Sequence, residues 1–155
     1  MPVSREVQAA IGGLVIDMTW IECLAARLVR LARLTDNEMS LLAPGGKLIK
    51  HARKAAGEFE DSEAAERTRR WLCQAESLRR KRHQVVHSIV LYSHPVGWAA
   101  YHPESGNKVE YSTREIVDLA QRVHVHADEG TYMSLFDWPR ALGRADSARA
   151  EDETE

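Results

Sequence analysis

The segment Arg82-His83-Gln84-Val85-Val86-His87 lies near the end of a long predicted helix that covers residues 62 to 90. Because a helix turns by about 100° per residue, the apolar residues of this helix fall on one broad face of the kind that packs into a core. The face contains Trp71, Leu72, Ala75, Leu78, Val85, Val86, Ile89 and Val90. Arg82 falls in the middle of it and must be paired there, because desolvation of a lone cation costs several kcal/mol. A polar strip lies beside the face and contains Glu76, Arg80, His83 and His87.

The other predicted elements make the chain mainly α-helical. Ser4 is placed to cap a first helix over residues 5 to 34, which ends at the polar segment 35 to 37, and a short helix follows over about 47 to 59. Asp61 or Ser62 caps the long helix, and Ser112 or Thr113 begins a last helix that continues to about residue 132. Residues 89–92, 98–102 and 108–111 are aromatic and β-branched, which predicts a small β-hairpin or meander before that last helix.

Glu22 is a second charge placed against an apolar pattern. In the first helix it falls between Val15 and Val29, on the face that the apolar residues occupy. Two opposite charges that each lie in an apolar face are most simply paired with one another, so we expect Glu22 to contact Arg82. The pair could be a buried salt bridge that fixes the register of two helices, or Glu22 could orient Arg82 toward a phosphate. Both interpretations stay open, since one arrangement can serve both.

The charge is unevenly distributed along the chain. The chain has 155 residues and a formal net charge of −2, which fits one domain without a global basic field. Residues 67 to 82 carry seven bases against one acid, whereas residues 146 to 155 carry six acidic groups, counting the terminal carboxylate, against one base. We therefore predict a helical domain over residues 1–140 and an acidic, disordered tail over residues 141–155. The basic run is either a nucleic-acid contact or a solvated helix face.

Several classes of protein and site are disfavoured by the sequence. Cys23 and Cys73 are isolated in predicted helices, so disulfides and structural zinc are not expected and a reducing cytoplasm fits. The apolar runs look too short for a membrane span, and the N-terminus lacks the order of a signal peptide. P-loop, G-x-S-x-G, H-E-x-x-H and Rossmann glycine patterns are absent from the sequence. His124 and His126 point to opposite sides of a helix, which argues against a shared metal ion.

Arg82, His83 and His87 together resemble the signature of HEPN domains, compact helical domains many of which are metal-independent ribonucleases. The signature is an Arg, four to six residues and a His, usually with Asn, Asp or His directly after the Arg. Residues 88–90 are similar to the "VVHS" ending of several branches, and Glu76, Arg80 and Lys81 match an auxiliary pattern of some members. The resemblance covers about residues 5 to 130 in helix order, and it implies a HEPN-like up-and-down helical bundle.

The resemblance implies an endoribonuclease that uses neither a metal ion nor another cofactor. His87 would be the general acid or base, since the pKa of histidine lies near neutrality, and Arg82 would stabilise the charge on the phosphate. His83 would orient His87 or share its proton. Glu22, Glu76 and Arg80 would support the site, and Arg79 and Lys81 would contact RNA. The expected product of single-stranded RNA cleavage is a 2′,3′-cyclic phosphate.

One motif supplies few proton-transfer groups, so we expect a homodimer in which the ends of two motif helices share a cleft. HEPN nucleases resemble this arrangement. The implied biological role is that of a toxin or a phage-defence effector in the cytoplasm, with a nucleotidyltransferase-type antitoxin as partner and no membrane. The alternative is a non-catalytic HEPN-like scaffold that binds a protein or a nucleic acid through the same residues.

Overall fold

The computed structural model describes residues 4–32, 45–87, 89–94, 97–101 and 108–143. For His87 and for the strand residues before Tyr111 it describes the backbone alone. The predicted turn at residues 35–37, His102 and residues 144–155 of the predicted acidic tail lie outside the described residues, so these predictions stay untested.

The described part of the chain is mainly helical, as predicted. The helices are α1 (Arg5–Leu31), α2 (Gly45–Ala55) with a 3-10 turn (Ala56–Glu58), α3 (Ser62–His87), α4 (Thr113–Tyr132), a π-helix (Met133–Asp137) and α5 (Trp138–Ala141). Between α3 and α4 lie the strands β1 (Ile89–His94), β2 (Gly97–Tyr101) and β3 (Lys108–Tyr111). They form an antiparallel sheet in the order β1-β2-β3, in the part of the chain where the sequence predicts a hairpin or meander.

The helix starts are set by side chains that accept hydrogen bonds from free backbone N–H groups. The Ser4 hydroxyl accepts from the N–H of Val7 at 3.2 Å. Asp61 Oδ1 accepts from the N–H of Ala64 at 3.1 Å and so caps α3. Ser112 and Glu115 form a complete capping box at the start of α4. These observations confirm the predicted caps at Ser4 and Ser112, and at α3 they select Asp61.

Helix α3 ends earlier than predicted. The sequence pattern predicts a helix to residue 90, but the last helical residue is His87, and Ile89 and Val90 belong to β1. The physical reason is the β-branched and aromatic run after residue 88, which suits a pleated strand better than a helix. Ile89 pairs with Ala100 of β2, and this strand pairing replaces a further helical turn.

The predicted apolar faces of α1 and α3 form the core. On α3, the side chains of Trp71, Leu72, Ala75, Leu78 and Val85 are all at most 3% exposed. On α1, the fully or almost fully buried residues are Val7, Leu14, Met18, Ile21, Leu24, Ala25, Leu28 and Val29, whereas Val15 is 39% exposed. Helix α1 packs along α4, with Asp17 against His124 and Trp20 against Thr131, so these two helices run parallel. Helix α3 runs antiparallel to both.

Trp71 and His126 join α3 to α4 through a reciprocal contact. Their rings stack with centroids 5.0 Å apart, and the Trp71 indole donates to the carbonyl oxygen of His126 at 3.0 Å. His126 Nε2 lies 3.0 Å from the carbonyl oxygen of Trp71, which can only accept, so the ring carries its proton on Nε2. Gly130 lets the helices approach, because a Cβ there would overlap the indole.

The chain continues past the predicted end of α4 through elements that the sequence analysis missed. The π-helix is followed by α5, and Trp138 at its start is fully buried. The Trp138 indole donates to Thr68 Oγ1 at 3.1 Å, and its ring meets Trp71 edge-on at 5.8 Å. The C-terminal turn is therefore packed onto the first half of α3.

Helix α1 corrects the expectation that no segment is apolar enough for a membrane span. Over an 18-residue window its mean hydropathy is 1.5, so by length and composition alone it could cross a membrane. A core helix of a soluble protein meets the same criteria, so this is weak evidence. Asp17 and Glu22 of this helix contact His124 and Arg82 of the neighbouring helices.

We predict that stability falls in acid because His126 is buried in its neutral form. Burial lowers the pKa of His126 from 6.5 to about 4, and the Nδ1 atom has no hydrogen-bond partner among the described residues; the nearest carboxylate, Glu129, lies 3.8 Å away. A pKa lowered by folding contributes stability above about pH 6.5 that is lost as the pH falls toward about 4. The expected loss across this interval is on the order of 3 kcal/mol, measured by urea unfolding at a series of pH values.

Two variants isolate this contribution from that of the carboxylates. His126→Gln keeps an amide donor for the Trp71 carbonyl but cannot titrate. Its free energy of unfolding should therefore decrease less than that of the wild type as the pH is lowered. His51→Gln is the control, because it removes a histidine that is exposed. Parallel pH profiles for wild type and His126→Gln would contradict the assignment.

Candidate functional site

Arg82 and Glu22 lie close together between α3 and α1, as the sequence predicts. Arg82 Nη2 is 3.8 Å from Glu22 Oε1, and the two side chains are 19% and 26% exposed. The separation is longer than a hydrogen bond. The Nε–H of Arg82 is buried and has no hydrogen-bond partner within the described residues. Arg82 is therefore held near a carboxylate while part of its donor capacity stays unused.

Arg79, one turn before Arg82, has a different environment. Its Nε and Nη2 atoms both donate to the carboxylate of Glu76 at 2.9 Å, which is a two-point contact. Arg80 Nε donates to the same carboxylate at 3.1 Å. The hydrogen bonds from Arg79 lower the pKa of Glu76 below its ordinary value, and the same contact raises the pKa of Arg79. Arg79 is thus engaged within the protein, which makes it a weaker candidate for RNA contact than the sequence suggests.

The remaining predicted residues lie along the second half of α3. Lys81 and His83 are exposed, and Arg80 keeps 73% of its side chain exposed despite its bond to Glu76. His87 is the last residue of α3, and its side chain lies outside the described residues. The structure therefore brings Glu22, Arg82, Glu76, Arg79 and Arg80 into one area, whereas the distance from Arg82 to the His87 ring stays untested.

The N-terminus of α2 completes this area. A Cβ at Gly45 would overlap the carboxylate of Glu22, and a Cβ at Gly46 would lie 3.1 Å from Nη2 of Arg79. The first residues of α2 therefore pack directly on the acidic group that faces Arg82. The positive end of a helix dipole also favours a carboxylate at this position. The sequence analysis missed this role, although the Gly45-Gly46 pair before an amphipathic helix is a signal for close backbone approach.

No family model, curated protein or solved structure matches this chain. The chemistry of the site must therefore be argued from its own residues. The Arg82 side chain is 19% exposed and can donate hydrogen bonds to an oxyanion, and exposed bases lie near it along α3. Among the described residues, no group of three or more His, Cys, Asp or Glu side chains is arranged to hold a metal ion.

The two histidines of α4 have separate structural contacts. His124 Nδ1 lies 3.1 Å from Asp17 Oδ2 on α1, and the ring is exposed, whereas His126 is buried against Trp71. They point to opposite sides of the helix, as the sequence analysis argues. The side chains of Trp98 and Tyr101, which could stack on RNA bases, lie outside the described residues.

We predict that Gly45→Ala destabilises the protein by about 1–3 kcal/mol, as overpacked sites do. The added methyl group must displace the Glu22 carboxylate or the start of α2, and either shift disturbs the contact with Arg82. Urea unfolding at neutral pH measures the change.

Two other glycines serve as controls. Gly46→Ala should cost less, because its new Cβ would lie 3.1 Å from Arg79 Nη2, whereas the one at Gly45 would overlap the Glu22 carboxylate. Gly12→Ala should stabilise by about 0.5–1 kcal/mol, because alanine is the better helix former and no atom lies within 4 Å of the new Cβ. Equal effects at Gly45 and Gly12 would contradict the close packing of α2 on Glu22.

Proposed function

We propose that the protein is a metal-independent endoribonuclease of the HEPN type that cuts single-stranded RNA. The observation that carries the proposal is the contrast between two arginines one turn apart. Arg79 has a two-point contact with Glu76, whereas Arg82 lies 3.8 Å from its carboxylate and keeps a buried Nε–H without a partner among the described residues. A buried, unused donor on a cation costs free energy. The rest of the guanidinium is partly exposed and farther than hydrogen-bond distance from Glu22, so it can donate to a phosphate oxygen, which supports a role of Arg82 in binding the scissile phosphate.

The proposed mechanism assigns proton transfer to histidine. His87 takes the proton of the 2′-hydroxyl or gives one to the leaving 5′-oxygen, and His83 orients it or shares the proton. Arg82 stabilises the charge that builds up on the phosphorane, while Glu22 keeps the guanidinium in place. The 2′-oxygen attacks the phosphorus, the bond to the 5′-oxygen breaks, and the products are a 2′,3′-cyclic phosphate and a 5′-hydroxyl. We place this activity in the cytoplasm, in a HEPN-like up-and-down bundle acting as a toxin or phage-defence effector beside a nucleotidyltransferase-type antitoxin.

A second candidate is a non-catalytic HEPN-like scaffold that binds a protein or a nucleic acid. The contact of Glu22 with both Arg82 and the start of α2 favours it, because the same charges tie together α1, α2 and α3. In that case Arg82 would set the packing of these helices, and the exposed bases of α3 would be a binding surface.

We predict cleavage of unstructured RNA in the presence of EDTA by the wild-type protein. His87→Ala and Arg82→Ala should each lower the rate by at least about 100-fold, the usual contribution of an acid–base group or of a charge-stabilising donor. Gel analysis of a labelled RNA, with end-group mapping for the cyclic phosphate, measures the effect. His124→Ala, which removes an exposed histidine of α4, is the matched control and should cut as the wild type does.

The outcome separates the two candidates. Equal activity of the wild type and the three variants, or activity that EDTA abolishes, would contradict the proposed mechanism. If Arg82→Ala unfolds the chain while His87→Ala changes neither folding nor RNA cleavage, the scaffold is the better description.

We further predict a homodimer in which the C-terminal ends of the two α3 helices approach each other across the two-fold axis. Light scattering at micromolar concentration should then give twice the chain mass of 17.5 kDa. The reason is that one motif offers few proton-transfer groups, and closed two-fold assemblies are the commonest oligomers. A monomeric species of 17.5 kDa with undiminished RNase activity would contradict the proposal that two chains share one cleavage site.

A further inference from the structure

A cavity of about 310 Å³ lies between the first half of α3 and the end of α4, away from the Arg82 area. Its walls are formed by Arg67, Arg70, Trp71 and Gln74 on one side and by Glu129, Tyr132, Met133 and Asp137 on the other. This volume is at the lower end of the range of small-molecule sites, roughly 300–1,000 Å³. It suits one nucleotide better than a larger ligand. Met133 and Asp137 belong to the π-helix, a type of turn that often occurs at functional sites.

Tyr132 gives the cavity an aromatic rim. Its side chain is 61% exposed, and its ring lies 5.0 Å from that of Phe136, which is itself 57% exposed. The two exposed rings support each other at a tilt of 42°. An exposed aromatic ring beside a cavity can stack on a nucleobase, and such stacking is sequence-tolerant. Tyr132 therefore supplies affinity for a base without selecting which one.

Arg67 and Arg70 give the cavity a positive wall. Each has one ion-pair contact within its own helix, Arg67 with Glu63 at 3.9 Å and Arg70 with Glu66 at 3.6 Å. Both contacts are exposed and longer than a hydrogen bond, and pairs of this kind are weak. The guanidinium groups can thus turn toward a phosphate at little cost.

Glu129 adds a carboxylate next to this ring and these arginines. Its ion-pair contact among the described residues is with Nδ1 of His126 at 3.8 Å, and that ring is buried in its neutral form. Asp137, the other carboxylate of the cavity, also lines a second cavity together with Glu60, Asp61, Arg67 and Arg140. The two oxygens of Glu129 are left to accept from a ligand. Guanine is the natural base that presents two adjacent donors, N1–H and the 2-amino group, on one edge, which matches a carboxylate.

We propose that this cavity binds a guanine nucleotide, with the base on Tyr132, its donor edge on Glu129 and its phosphate on Arg67 and Arg70. The ligand is either a free nucleotide or a guanosine within single-stranded RNA. The alternative in which the ligand is a guanosine within RNA rests on the proposed function. It is supported by polar side chains that recur every three or four residues on one side of α3, namely Arg67, Arg70, Gln74, Ser77, Lys81 and Gln84. This row contains no acid and extends over about 26 Å along the axis of α3.

The test is equilibrium binding of the four ribonucleoside monophosphates to the full chain by titration calorimetry. GMP should bind at least about tenfold more tightly than AMP, because a charged two-point hydrogen bond contributes on the order of 1.4 kcal/mol or more. Glu129→Gln should remove this preference, since its amide presents one donor to an edge that only donates. Tyr132→Ala should weaken GMP and AMP alike by about tenfold through lost stacking, whereas Tyr132→Phe should retain both affinities.

Two pentaribonucleotides, one with a central guanosine and one with a central adenosine, distinguish the sources. A preference for the guanosine pentamer identifies RNA as the ligand, and binding of GMP without that preference identifies a free nucleotide. These substituted residues are exposed, and unfolding curves check that each variant folds. Equal affinity for all four nucleotides, no binding, or an unchanged preference in Glu129→Gln would overturn the proposal. If the protein cleaves RNA but does not prefer GMP, only this inference is contradicted. If it prefers GMP but does not cleave RNA, only the proposed nuclease function is contradicted.

Discussion

The arrangement of the helices depends on the reciprocal contact between Trp71 and His126. Each residue gives a ring to the stack, and the side chain of each meets the backbone carbonyl of the other. Such a contact fixes both the distance between α3 and α4 and their register, because neither helix can move along its axis without breaking both side-chain-to-carbonyl hydrogen bonds. Gly130 permits the close approach, and Trp138 closes the assembly from the C-terminal side. The polar residues of α3 therefore lie at fixed positions on either side of the Trp71–His126 contact.

Charge is distributed along α3 in two different ways. Arg79 and Arg80 form short hydrogen bonds with Glu76 of the same helix, so their charges are neutralised within α3. At Arg82 and at Arg67 and Arg70 the carboxylate partners are farther away, at 3.6 to 3.9 Å. A cation with a distant partner keeps more of its field for an incoming anion. The distance to the partner carboxylate, more than the number of arginines, separates those that are neutralised within the fold from those that keep donors for an anion.

The sequence predicted the buried faces of α1 and α3 and the meeting of Glu22 with Arg82, because helical periodicity alone places these residues. It also predicted the caps at Ser4 and Ser112, which depend on local chemistry. The end of α3 was misplaced, since residues 89 and 90 continue the helical pattern yet belong to β1, which pairs with β2. The roles of Gly130 and the π-helix could not be predicted, because they depend on how segments distant in sequence approach each other, whereas the Gly45-Gly46 pair was a signal for close approach that was not used. The same is true of the Tyr132 cavity, whose walls come from two helices that only the fold brings together.

The π-helix couples the length of the chain to the direction of its C-terminal turn. A π turn holds one residue more than an α turn, so α5 enters rotated by about 100° relative to a straight continuation of α4. That rotation turns Trp138 toward Thr68 and the edge of Trp71. Loss of a single residue between Met133 and Asp137 would restore a regular helix and would swing Trp138 away from the core. In this segment the number of residues therefore sets where Trp138 lies.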